Sequence, residues 1–253
     1  MSSMHRLLTL ALSWVLAAAA IPGAAQAATA GYEAITRVTL TLTLVNAVMS
    51  IPDGLTVKAS ASISDQYQFT TDNGAAQSEA TLHPTQMLTM GIDDQLIQYA
   101  HSLGQAGHRE GYAESGIETD GVISIENAGT ETAELRFTYD LYAAIIALLD
   151  GDGITAVAQS DWIIGDEAGQ VSIVEGLYAD AENDVHPVNW IESGSFTLTV
   201  AGGESAALWA LAGARGVAEA PEPPLWTLLC VGLYLVARPR ARAVAPGPRQ
   251  LFA

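Results

Sequence analysis

Between Thr36 and Val45 the chain reads "TRVTLTLTLV". Val38, Leu40, Leu42 and Leu44 fall on one face of an extended chain, and Arg37, Thr39, Thr41 and Thr43 on the other. That period of two marks a β-strand with one buried face. The pattern returns in "LTVKASASIS" (Leu55 to Ser64) and "QYQFTT" (Gln66 to Thr71). Further strands are expected at "VISIENA" from Val122, "AELRFTYDLYAAI" from Ala133, "GITAVAQSDWII" from Gly153, "QVSIVEGLYA" from Gln170, "GSFTLTVA" from Gly194 and "ESAALWALAG" from Glu204. Turn formers separate them: Asp72-Asn73-Gly74, Asn127-Ala128-Gly129, Asp150-Gly151-Asp152-Gly153 and Ala201-Gly202-Gly203. The stretch Ile92 to Gly107 fits a short helix or another strand. Many short alternating strands predict an all-β fold, an antiparallel β-sandwich around one shared core.

Charge and cysteine usage narrow the function classes. The 253 residues carry a formal net charge of −18, and charge is unevenly placed. From Ala28 to Ala220 there are 27 acidic residues against Arg37, Lys58, Arg109, Arg136 and Arg215, a net of −22. Such a surface repels nucleic acid and anionic lipid, and suits solubility, divalent cations or basic partners. Cys230 is the only cysteine. It excludes an intramolecular disulfide and a cysteine-based zinc site, and its place in an apolar run makes it a passive filler.

Both ends have the composition of targeting segments. Met1 to Arg6 is short and carries His5 and Arg6, Leu7 to Ala20 is apolar or small apart from Thr9 and Ser13, and Ala25-Gln26-Ala27 offers a small-x-small cleavage site. Signal peptidase would therefore leave a mature chain beginning near Ala28. At the other end, Leu225 to Ala237 is apolar and spans about 20 Å as a helix, short of a ~30 Å hydrocarbon core. Arg238, Arg240 and Arg242 follow as a basic stop signal that stays cytoplasmic by the positive-inside rule. The expected layout is a signal helix at 1–27, a sandwich at 28–215, a linker at 216–224, a short transmembrane helix at 225–237 and a basic tail at 238–253.

Two resemblances add to this reading. "ISIENAGTETAELRFTYDL" (Ile123 to Leu141) and "GSFTLTVAGGESAALWALAG" (Gly194 to Gly213) each read strand, turn, strand. Their Asn-Ala-Gly and Gly-Glu-Ser turns resemble those of exported immunoglobulin-like modules, which implies one domain from about Tyr32 to Gly213. Pro221-Glu222-Pro223, the apolar run and the arginines together resemble the PEP-CTERM sorting signal of bacterial exported proteins. Pro239 and Ala241 interrupt the basic cluster, and a plain C-terminal anchor behind a proline linker is the competing account. The PEP-CTERM resemblance implies processing by an exosortase-type enzyme near the motif, an inner-membrane precursor, and a mature form at the cell surface or in a matrix of exopolysaccharide or biofilm.

Signals for catalysis are sparse, and a non-enzyme is expected. No HExxH, GxSxG, P-loop or GxGxxG motif is present. His101, His108, Glu110 and Glu114 would make a metal cluster only if folded together. Scattered surface histidines are the plainer reading. Asp161, Asp166 and Glu167 lie near Trp162, and a glycosidase needs two carboxylates beside a sugar, but a chain this acidic places carboxylates together by chance. Calcium is the one cofactor suggested: Asp150 and Asp152 in "DGDG" sit two residues apart with glycines for a tight loop, without the other ligands of an EF-hand. "DAEND" at Asp180 to Asp184 is a second oxygen-rich loop. An alternative class is a carbohydrate-binding or carbohydrate-active sandwich, with Trp162 and Trp190 as its stacking aromatics.

Overall fold

The computed structural model describes residues 29–71, 73–107, 111–150, 155–181 and 187–220. Strands β1 (Thr29–Val45), β3 (Gly74–His83), β5 (Gln95–Ala106), β7 (Ala133–Asp150) and β10 (Val188–Val200) form one sheet in the order β10-β7-β1-β5-β3. Strands β2 (Leu55–Thr70), β4 (Leu88–Thr89), β6 (Tyr112–Asn127), β8 (Thr155–Asp166), β9 (Ser172–Asp180) and β11 (Ser205–Glu219) form the second, in the order β4-β2-β6-β11-β8-β9. Every pairing is antiparallel. The all-β reading holds, and the two sheets stack as a sandwich.

The opening stretch lies in β1, the centre of the five-stranded sheet. Val38, Leu40 and Leu42 are fully buried there, while Arg37 is exposed. Leu44 departs from the expected face because a bulge between Leu42 and Leu44 resets the register, so Val45 is buried in its place. A second bulge, between Ile63 and Asp65, lets β2 run through the two segments that read as separate strands. The ambiguous Ile92 to Gly107 stretch becomes β5, whose even-numbered residues from Leu96 to Ala106 point inward. Of the turn sequences, Ala201-Gly202-Gly203 falls between β10 and β11 and Ala128-Gly129 follows Asn127 at the end of β6; Gly74 opens β3 and Asp150 closes β7, while Asp72, Gly151, Asp152 and Gly153 lie outside the described residues. β11 continues beyond Arg215 to Glu219, so the sandwich occupies part of the expected linker.

Side-chain size divides the interior along its length. One end is filled by large residues, among them Leu40, Leu42, Phe137, Trp162 and Ile164. The other is built mainly of alanine, including Ala30, Ala34, Ala106, Ala147, Ala158 and Ala218. Small side chains let the sheets approach closely. Short hydroxyls then reach the backbone of the opposite sheet, which the ~10 Å gap of a sandwich filled by large side chains would forbid. Thr36 on β1 donates to the Gly213 carbonyl on β11. Ser160 on β8 donates to the Ile35 carbonyl at 3.1 Å, Ser102 on β5 to the Ser115 carbonyl at 2.9 Å, and Ser115 on β6 to the Gln77 carbonyl at 3.0 Å. Gln98 on β5 donates to Thr119 O at 2.9 Å and Ala210 O at 3.2 Å.

Aromatic rings cover glycines directly across strand boundaries. Tyr67 faces Gly116, Trp209 faces Gly165, Tyr139 faces Gly194 and Tyr32 faces Gly104. A Cβ built at any of these glycines would come within 2.3 to 2.6 Å of its ring. The ring replaces the packing that a bare glycine lacks in a strand.

Candidate functional site

The expected site residues are scattered. Pro221, Glu222, Pro223, Arg238, Arg240, Arg242 and Asp152 lie outside the described residues, as do His108, Glu110, the signal segment and the apolar run. Asp150 ends β7, and its side chain is likewise outside the described set. Among the described residues no group of three His, Cys, Asp or Glu side chains is placed to hold a metal ion. None of their helices is long and apolar enough to cross a membrane, a statement that does not extend to membrane β-barrels.

Trp162 is corrected. It is 1% exposed and packs in the core with Ile164 and Leu208, because its position on β8 points inward; it cannot stack on a sugar. Trp190 is 43% exposed, and its indole N–H donates to Glu192 Oε2 at 3.3 Å. The carboxylates near Trp162 separate as well. Asp166 serves the β8–β9 turn, accepting from Val171 N at 2.6 Å and Ala168 N at 3.2 Å, which is a structural task. Asp161 points outward from β8.

His101 has a defined environment on the outer face of the five-stranded sheet. Its Nε2 lies 3.0 Å from Glu33 Oε1 and its Nδ1 3.1 Å from Glu79 Oε1, so the ring bridges β1 and β3. Burial alone would lower its pKa. Hydrogen bonds to the two carboxylates, with their charges, outweigh burial and leave it raised. Tyr99 beside it is pushed up to about 12, first by burial and then by Glu79 and Glu33. Both ring nitrogens are spent on opposite neighbours, so this is a cross-strand clamp.

The richest exposed constellation is a strip across the outer face of the six-stranded sheet. One row runs in register Tyr67 (β2), Gly116 (β6), Arg215 (β11), Gln159 (β8), Tyr178 (β9). The next runs Asp65, Glu118, Gly213, Asp161, Gly176. Arg215 Nη2 stands 3.4 Å from Asp161 Oδ2, and its Nε donates to Gln159 Oε1 at 3.1 Å. The Gln159 amide in turn donates to both Asp161 oxygens, at 3.0 and 3.1 Å. A closed triangle thus fixes the Asp161 carboxylate. The glycines between these side chains leave a shallow groove floored by backbone. Sequence reading noticed Asp161 but missed the strip, since register across four strands is what unites its members. Comparison with protein-family models, curated proteins and solved structures finds no match to this chain.

Proposed function

We propose that this is an exported, non-catalytic protein of the cell surface or extracellular matrix, sorted by the Pro-Glu-Pro signal and associated with exopolysaccharide. The observation that carries the reading is where the sandwich stops. β11 runs to Glu219, and Ala220 is still buried, its N–H donating to the Gly111 carbonyl at 2.8 Å. The motif begins at the next residue, so a processing enzyme would meet it immediately beyond the folded unit. Its three prolines, Pro221, Pro223 and Pro224, disfavour a helix and suit an extended, accessible segment. The test is intact mass and membrane fractionation in a host that has an exosortase. Wild type should lose the segment after the motif and leave the membrane, while Glu222→Ala should stay uncut. A wild-type protein that keeps its C-terminal arginines and remains membrane-bound there would make the tail an ordinary anchor.

A second reading, a carbohydrate-binding sandwich, is favoured by one observation: the strip offers a tyrosine at each end with a guanidinium, an amide and carboxylates between. Sugars present this mixture of apolar ring faces and hydroxyls.

A further inference from the structure

β10 is the outermost strand of the five-stranded sheet, and among the described strands only β7 pairs with it. The register of the two runs unbroken from Val188 to Val200. Thr199 shows which way the backbone groups of β10 point. Its N–H and its carbonyl are both bonded to the Gln170 side chain, at 3.1 and 3.3 Å, so both face away from β7. In an antiparallel strand that direction alternates residue by residue. Asn189, Ile191, Ser193, Ser195 and Thr197 therefore turn their N–H and C=O groups to the open edge. Among the described residues nothing bonds to those groups. Gln170 closes one end of the row with its amide, as a peptide group of another strand would. β10 is 13 residues long and has no proline, lysine or bulge to blunt the edge. Its one charge, Glu192, points inward and accepts from the Tyr139 hydroxyl at 3.0 Å and the Trp190 indole at 3.3 Å. Trp190 and Ile191, on opposite faces of the strand, are 43% and 67% exposed.

We propose that a second copy of this chain occupies the edge: two β10 strands pair antiparallel, and two five-stranded sheets join into one continuous sheet. A two-fold axis at Ser193 sets Ser193 opposite itself, Ile191 opposite the partner's Ser195 and Asn189 opposite the partner's Thr197. That register engages every open group in the row, and it is self-complementary, as a closed dimer requires. The residues between them bring Trp190 against the partner's Phe196 and Glu192 against the partner's Gly194. The first is an aromatic pair that covers the exposed indole. The second keeps the carboxylate clear of a like charge. This matters because each copy carries a net of −22 over Ala28 to Ala220, and β10 lets two such copies meet without opposing charges. The other edges are less open. β4 has two residues, and β2 beyond it bends at the bulge between Ile63 and Asp65. β9 carries Glu175 exposed, and on β3 the Gln66 side chain already bonds the Ser78 carbonyl at 2.9 Å.

The experiment measures the mass of the purified full chain by sedimentation over a range of concentrations. A dimer is expected, and hydrogen exchange at the β10 amides should slow as it forms, a check that needs no variant. Ile191→Asp adds a charge on each side of the two-fold at an exposed position and should weaken association about tenfold. Val174→Asp, the same kind of change on the exposed face of β9, should associate as wild type. Trapping tests the register, with Cys230→Ser in the background. Ser193→Cys should yield a disulfide-linked dimer on mild oxidation, because a directly opposed pair places its Cα atoms about 5.5 Å apart, within disulfide reach. Ser195→Cys should yield none. A chain that stays monomeric at every concentration overturns the proposal. So does a dimer that Ile191→Asp leaves intact, since its contact then lies elsewhere, and so does a trap that works at Ser195 and fails at Ser193. β10 amides protected equally at every dilution would mean that another segment of the same chain covers the edge, which also overturns it.

Discussion

At the scale of single residues, the pairing of rings with glycines makes glycine a packing requirement. Trp209 lies against Gly165, and a Cβ at 165 would meet its ring at 2.6 Å. Gly165→Ala should therefore destabilise the protein by about 1–3 kcal/mol through forced displacement of the indole. A Trp209→Val change beside it should recover much of that loss, and a double-mutant cycle by chemical denaturation measures the coupling. His101 gives a second prediction. Its folded pKa is raised, so its stabilisation is complete below the unfolded value near 6.5 and is lost as pH rises through the folded pKa. Glu33 from β1, Glu79 from β3 and Tyr99 from β5 are the titratable groups facing it. Raising the pH from about 6 to about 8 should lower the melting temperature of wild type more than that of His101→Gln. Parallel curves for the two proteins would remove the clamp from the account.

At the scale of elements, alternation alone revealed β1 from Thr36 onward, most of β7 and the C-terminal half of β6. It missed the first half of β6, "YAESGIETDG" (Tyr112 to Gly121), because Gly116 and Gly121 read as breaks. Their cover comes from Tyr67 and from Leu96 with Gln98, residues on other strands that no local window contains. β3 was missed for a related reason: "GAAQSEATLH" is alanine-rich, and on its inward face Ala76 and Ala80 pack against the alanine end of the sandwich, with only Leu82 reaching the large-residue core. The two turns singled out for their resemblance meet in space. Asn127 donates its side-chain amide to Glu131 O at 2.8 Å and Val200 O at 3.0 Å, and accepts from Gly129 N at 3.1 Å. Its backbone bonds Glu204 O and Gly203 N, so one buried asparagine ties the β6–β7 turn to the β10–β11 turn. Asn127→Ala strands those partners and should cost about 2–4 kcal/mol, well beyond the loss of one ordinary hydrogen bond. Urea unfolding checks it, and a loss within ~0.5 kcal/mol would mean the turns hold without the side chain.

At the scale of the whole molecule, acidity and topology dominate. A net of −22 over Ala28 to Ala220 repels itself, and that repulsion is screened within about 8 Å at physiological ionic strength. The melting temperature should rise between low salt and about 0.15 M sodium chloride; a flat profile would show that the acidic groups are already compensated locally. Sequence composition made this charge legible, but not the weave of the strands. Among the described strands, only β8 and β9 are consecutive and paired; every other successive pair lies in opposite sheets. Periodicity marks where a strand is, and no local signal states which distant partner will take it.

The last strand is also an interior one. β11 lies between β6 and β8 and pairs with both along nearly its whole length, finishing at Glu219, two residues before Pro221 in the sequence. A tension applied through that end would run lengthwise down β11, at right angles to the hydrogen bonds of both ladders. The bonds would be sheared together rather than peeled one after another from a sheet margin. A tether attached there would thus pull against the strongest direction of the six-stranded sheet, and the load would spread into β6 and β8 before any rung gave way.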